Sequence, residues 1–243
     1  MDWLKIIMDE FIKTQIDAIK RSINDFIVRL SDFALEEVSR KLTNTEQDFF
    51  RFISKQIIFL KQLLENYDKY EIKVLISDFY NLIISIIKNE DRCIYLHERS
   101  IIENYTRLIV NDSIRNNYIM SNSFEKLKEI KKASRIISDV EYSLIKSEYR
   151  VSCGYVHGSE LLNDNLVYVF NELVSNDMPL KNRNNYFQRM IKLVKIYNRL
   201  LYFTHNNDVD NSFHRRKSVL TFLTNLANTK NSLPEQENSV TNR

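Results

Sequence analysis

Glycine and proline are almost missing from this chain: 243 residues carry two of each, where average usage would supply about 17 and about 12. Hairpins and tight βα turns need residues that tolerate positive φ or carry a preset φ, so a strand-and-turn architecture is excluded. Cysteine is equally sparse. Cys93 and Cys153 are the whole complement, without metal-ligand spacing, and no cationic segment followed by an apolar core and a small-residue cleavage site opens the chain. The sequence therefore reads as a reduced, cytoplasmic protein. Charge of one sign is lacking too, since 35 Lys and Arg face 32 Asp and Glu, and no global field advertises a nucleic acid or a membrane. Long apolar runs are absent as well. Val74 to Ile87 and Gln56 to Leu64 are broken by Lys, Asp or Asn before the ~18 residues of a membrane span, so they read as core helices and no membrane partner is expected.

What remains is helical periodicity, and the fold class read from it is all-α, a multi-helix bundle with a long N-terminal amphipathic helix. From Leu4 to Val38 the apolar positions Ile12, Ile16, Ile19, Ile23, Phe26, Leu30 and Phe33 alternate steps of three and four, the stripe of one helix face. That stripe packs on its own domain or forms a two-chain seam. Thr43 and Glu46 make a capping box opening a helix to about Tyr67, and Ser138 with Glu141 makes another opening a helix towards His157. Between them, helices are predicted over Tyr70 to Lys88, Asp91 to about Val110 and Phe124 to Ile137. The stretch from Gly158 to Pro179 reads as an irregular or short helical connection. Two further helices are predicted over Asn185 to Thr204 and Ser212 to Asn228. The divisions are an N-terminal helix over 1–42, a helical bundle over 43–229 and a disordered tail over 230–243, polar and containing Pro234.

Both glycines fall in one run, Gly154 and Gly158, on either side of His157. In a helix, Arg150 and His157 lie within roughly 20° of one face and about 10.5 Å apart along the axis. The small residues Cys153 and Gly154 lie between them, so a cation and an imidazole could reach one bound phosphodiester. The plainer alternative makes Gly158 a C-cap, His157 a last-turn residue favoured by the helix dipole, and Gly154 a close helix crossing.

The run Tyr149-Arg150-Val151-Ser152-Cys153-Gly154-Tyr155-Val156-His157-Gly158 resembles the signature of the HEPN superfamily, in which Arg and His stand four to six residues apart near the end of a helix in an all-helical bundle. A bacterial branch also carries an upstream Arg-x-x-x-Glu, matched here by Arg99 and Glu103. The likeness covers roughly Asp91 to Glu160. It implies a HEPN-like core and a metal-independent endoribonuclease, needing no cofactor, often completed across a homodimer, and acting as a bacterial toxin or antiviral defence effector. RNA would be the partner, with a neutralising or regulatory protein alongside. His157 would take the proton of the attacking 2′-hydroxyl or give one to the leaving oxygen. Arg150 would hold the phosphoryl oxygens through two parallel hydrogen bonds. A second proton-transfer group would come from a dimer mate, Ser152 or Tyr155. Active members commonly place a polar residue directly after the Arg, where this chain has Val151. Either Ser152 takes over that role or the site is impaired, and a catalytically inactive interaction or regulatory subunit of a defence system is the competing function.

Arg99 and Glu103 share a helix face, either as a simple ion pair or with Glu103 orienting Arg150 or the imidazole from a facing helix. His214, Arg215, Arg216 and Lys217 form a basic cluster that could meet RNA backbone or be a solvated face. Tyr142, Tyr149 and Tyr155 could stack bases or belong to the core. His97 and His205 read as surface or satisfied core residues, and no metal site is expected. Lys126 to Lys132 reads as an exposed, salt-bridged face, and Cys153 ranks below the ribonuclease pair as a nucleophile.

Overall fold

In a computed structural model, which describes residues 2–111, 120–157 and 180–226, every regular element is helical. The order is α1 (Asp2–Val38), α2 (Asn44–Leu64), α3 (Tyr70–Lys88), α4 (Asp91–Val110), α5 (Met120–Ser134), α6 (Asp139–His157), α7 (Leu180–Thr204), α8 (Asn206–Ser212) and α9 (Lys217–Thr224). No strand occurs among the described residues, as a chain with two glycines requires.

Local chemistry sets the boundaries. Before α2, Thr43 Oγ1 accepts from the Glu46 N–H at 3.2 Å, and the Glu46 carboxylate accepts from the Thr43 N–H at 2.8 Å. Before α6, Ser138 and Glu141 repeat the exchange at 3.2 and 2.9 Å. Each cap satisfies backbone donors that the first turn would leave unpaired. At the other ends asparagine does the work of glycine: Asn89, Asn111 and Asn225 close α3, α4 and α9 in the left-handed region. Ser39, Arg135 and Arg215 also take positive φ, without an amide side chain that eases it.

Arg135 ends α5 before Ile137, while the helix begins earlier than Phe124, at Met120. Arg215 marks the other departure. Of the helix expected over Ser212 to Asn228, Lys217–Thr224 forms α9, whereas Ser212 ends α8, Phe213 is drawn fully into the core and Arg215 reverses the chain at φ 59° before α9 begins. The connection from Gly158 to Pro179 and the tail over 230–243 lie outside the described residues.

α4 occupies the middle of the bundle, packed by α3, α5, α6 and α7. Its Tyr105 ring stacks on Tyr197 of α7 at 4.9 Å, and the Tyr197 hydroxyl meets Thr106 Oγ1 at 2.9 Å. Phe49 of α2 stacks on Phe187 of α7 at 4.3 Å. The second half of α1 adds Ile23, Ile27, Leu30 and Ala34 to the same core, so the N-terminal helix is fixed from there on by burial against α2, α3 and α9.

Polar ties cross this core. Glu46, 1% exposed, accepts from both terminal nitrogens of Arg40 at 3.0 and 2.8 Å and from Arg183 of α7 at 2.9 Å. Arg40 also reaches the Ile87 carbonyl at the end of α3 at 3.3 Å, so one buried carboxylate ties α2, α3 and α7 to the link between α1 and α2. Asn198 donates to Gln56 at 2.7 Å, and Gln56 to the Leu223 carbonyl at 3.2 Å, joining α7, α2 and α9. His205 donates from Nε2 to the Leu108 carbonyl at 2.9 Å and accepts from the Tyr67 hydroxyl at 3.2 Å, which is a satisfied structural histidine.

Candidate functional site

α6 runs antiparallel to α4: Arg92 Nη2 donates to the Val156 carbonyl at 3.1 Å, while Tyr149, a turn and more earlier on α6, donates to Glu103 further along α4. His157 ends α6 and is exposed. The guanidinium beside it is that of Arg99 on α4. Arg99 Nη1 donates to His157 Nε2 at 2.8 Å. An arginine has only donors, so Nε2 is the accepting nitrogen and the ring proton is assigned to Nδ1.

Behind this pair stands Glu103. Its Oε1 accepts from Arg99 Nε at 3.0 Å and from the Tyr149 hydroxyl at 3.2 Å, and its Oε2 accepts from Arg107 at 3.3 Å. The Arg99 guanidinium also lies 5.9 Å from the Tyr149 ring centroid, a cation–π arrangement that fixes its plane. Burial works against the charge of Arg99, but the Glu103 carboxylate outweighs it and holds the guanidinium more firmly charged than usual. Burial and the Glu103 charge together push the Tyr149 hydroxyl up, so it stays a donor.

The expected pairing of Arg150 with His157 is therefore filled from another helix. Arg150 shares the α6 edge with His157 by rotation. It is exposed, and its side chain makes no hydrogen bond or ion pair with any described residue. Glu103 orients the imidazole at one remove, through Arg99, and forms the intrahelical ion pair at the same time. Of the two hydroxyl candidates, Ser152 is fully buried and donates to the Tyr149 carbonyl at 2.9 Å, so it cannot stand in for a polar group at Val151. Tyr155 is 44% exposed, its ring stacked at 3.8 Å on Tyr95 of α4. Tyr142 and Tyr149 are spoken for by Phe124 and Glu103, which leaves Tyr155 as the open aromatic of the three. Gly154 sits half-buried between Arg150 and His157, and Gly158 lies outside the described residues.

The basic cluster divides. Arg216 donates to the Ser212 carbonyl at 2.8 Å and Lys217 pairs with Asp210, both holding the turn before α9. His214 and Arg215 are exposed. His97 faces the buried Asp78 at 3.5 Å. On α5, Lys128 and Lys132 pair with Glu125 and Glu129 at 3.5 and 3.0 Å, the salt-bridged face that its sequence suggested.

One cluster went unread. On the other side of α6, Glu148 is 5% exposed and lies against Glu98 of α4, 1% exposed. A single cation faces both, Arg189 of α7, 3.1 Å from Glu148. Burial first, then the Glu148 charge, pushes the Glu98 carboxyl well above the usual carboxylate range. The hydroxyl of Tyr186, buried beside them, is raised chiefly by burial and then by Glu98. The signal was present: Glu98 falls four after Ile94 and three before Ile101, and Glu148 three after Ile145, all on core stripes. Among the described residues no group of three or more His, Cys, Asp and Glu could hold a metal ion, and no helix is long and apolar enough to cross a membrane. Against models of protein families, curated proteins and solved structures, the chain finds no match.

Proposed function

We propose that the end of α6 is the active site of a metal-independent endoribonuclease of HEPN type, a bacterial toxin or antiviral defence effector, with Arg99 and His157 as the pair that meets the scissile phosphodiester. The observation that carries this reading is the 2.8 Å contact between Arg99 and the solvent-exposed imidazole. A half-buried arginine and an exposed histidine gain little stability from each other. Yet here the arginine is braced by a carboxylate that itself holds a second arginine and a tyrosine. Such bracing preorganises a charge in the way that transition-state stabilisation demands.

An arriving phosphodiester competes for the Arg99 donors. As the guanidinium turns from Nε2 to the nonbridging oxygens, the imidazole lone pair is freed beside the 2′-hydroxyl. Nε2 takes that proton, the 2′-oxygen attacks phosphorus, and the 5′-oxygen of the next nucleotide departs with a proton from a second donor. Glu103 keeps Arg99 oriented throughout. Arg150, exposed and without a partner among the described residues, is free to take the adjoining phosphate or to serve a second copy. A homodimer fits the outer side of α6, where Val140 and Val151, 70% and 39% exposed, share a face with the exposed Ser143 and Ser147; a second α6 there would bring its own His157 as the missing acid.

A second reading has its own observation. With Val151 exposed and Ser152 buried in a bond to the Tyr149 carbonyl, no hydroxyl follows Arg150 at the surface. That favours a catalytically silent subunit that uses the same outer side of α6 to hold a protein partner. RNA incubated with the protein in excess chelator decides between them. Fragments ending in 2′,3′-cyclic phosphate, lost in both Arg99→Ala and His157→Ala, support the nuclease. Intact RNA with unchanged self-association supports the silent subunit.

A further inference from the structure

Far from His157, α6, α7 and the end of α9 enclose a cleft of ≈ 550 Å³. Its α7 wall carries Gln188, Lys192, Lys195 and Arg199, with Ile191 and Ile196 beside them; the four polar residues are spaced by four, three and four, so all four project from one face. Arg199 is committed to Glu141 at the start of α6, and Thr224, Asn225 and Leu226 complete the lining. Lys192 and Lys195 are exposed, and neither makes a hydrogen bond or ion pair with a described residue. Glu141 is the one acid among the lining residues, and it is neutralised: burial opposes its charge, but the Ser138 N–H and Arg199 hold its carboxyl below the usual range.

We infer that this cleft binds the backbone phosphates of the RNA strand, several nucleotides from the bond that is cut. The inference rests on the ribonuclease reading and names its anchoring surface. Two unpaired lysines beside a paired arginine match a run of phosphates, each neutralised by a point charge. A protein partner fits worse, because lysine is depleted and aromatic residues enriched in protein interfaces, and no aromatic side chain lines the cleft. The Glu141–Arg199 and Glu148–Arg189 pairs show that α6 and α7 run antiparallel. At 1.5 Å per residue, Glu141 lies about 24 Å from His157 along the α6 axis, so a strand held at the cleft reaches the imidazole only if it is several nucleotides long.

The test is binding of a fluorescein-labelled single-stranded oligoribonucleotide to the full chain carrying His157→Ala, followed by anisotropy from 50 to 200 mM salt. Each phosphate contact on single strands contributes about 0.7 to the slope of log affinity against log salt. Lys192→Gln with Lys195→Gln is therefore expected to lower that slope by about 1.4, so the parent loses about seven-fold more affinity across the range. Lys192→Arg with Lys195→Arg restores the parent slope. An unchanged slope and Kd in the glutamine variant overturn the inference, as does lysine-dependent binding of a polyglutamate peptide without binding of RNA. Cleavage is read separately, in the chain with His157 intact. RNA that is cut while the lysines prove irrelevant to binding refutes the cleft and spares the nuclease. Lysine-dependent binding of RNA that is never cut does the reverse.

Discussion

Glu98→Gln probes the buried carboxyl pair without altering its shape. In the folded chain burial and then Glu148 push the Glu98 carboxyl well above its ordinary range, with Arg189, Tyr186 and Tyr95 as the other charged or titratable groups around it. Unfolded, it titrates near its ordinary 4.5. Above that value the folded state keeps a proton that the unfolded state has released. Stability is therefore fully present below about pH 4.5 and falls as pH rises towards the elevated folded value, by about 1.4 kcal/mol per pH unit for one proton. Glutamine carries its N–H at every pH and can donate to Glu148 permanently. The variant should lose this component of the slope, and its advantage over the parent should widen as pH rises above about 4.5, by at most about 1.4 kcal/mol per pH unit. Urea unfolding followed by circular dichroism at several pH values measures it. Parallel stability curves for parent and variant would show that Glu98 takes no proton on folding and would refute the account of a carboxyl raised by burial and Glu148.

Three other expectations are simpler. Glu46→Gln leaves Arg40 and Arg183 facing a neutral amide in a buried knot and should cost about 3–5 kcal/mol in denaturant unfolding; the cost shrinks as pH falls below about 4.5, because the unfolded parent then takes up a proton that the folded carboxyl, held lower by Arg40 and Thr43 despite burial, still refuses. Ser152→Ala removes only a bond to the Tyr149 carbonyl, so unfolding should shift by about 1 kcal/mol or less and RNA cleavage should not change. Arg99→Lys keeps the charge but cannot bridge Glu103 and the phosphate together, and cleavage should fall by about 10² or more at unchanged stability.

Much of the fold could be read along the chain because helix signals are local. Thr43 with Glu46 and Ser138 with Glu141 announced their helices through contacts three residues long, and both exchanges are formed. The site was legible only in part. Spacing tells that Arg150 and His157 share an edge, but not which neighbour lies over that edge, and it is the packing of α4 on α6 that delivers Arg99. Nor does spacing tell that Ser152 turns inward. The break between α8 and α9 escaped because Arg215 adopts a conformation that its side chain does nothing to advertise.

The turns made without glycine have a further meaning. Ser39, Arg135 and Arg215 hold a backbone shape in which a Cβ is crowded by about 1–2 kcal/mol, a penalty that glycine escapes. Offset by the looser unfolded chain that glycine brings, each site still offers a small net gain. Thermal tolerance can therefore be raised at the periphery, one atom-stripping replacement at a time, while the packed interior and the end of α6 are left alone.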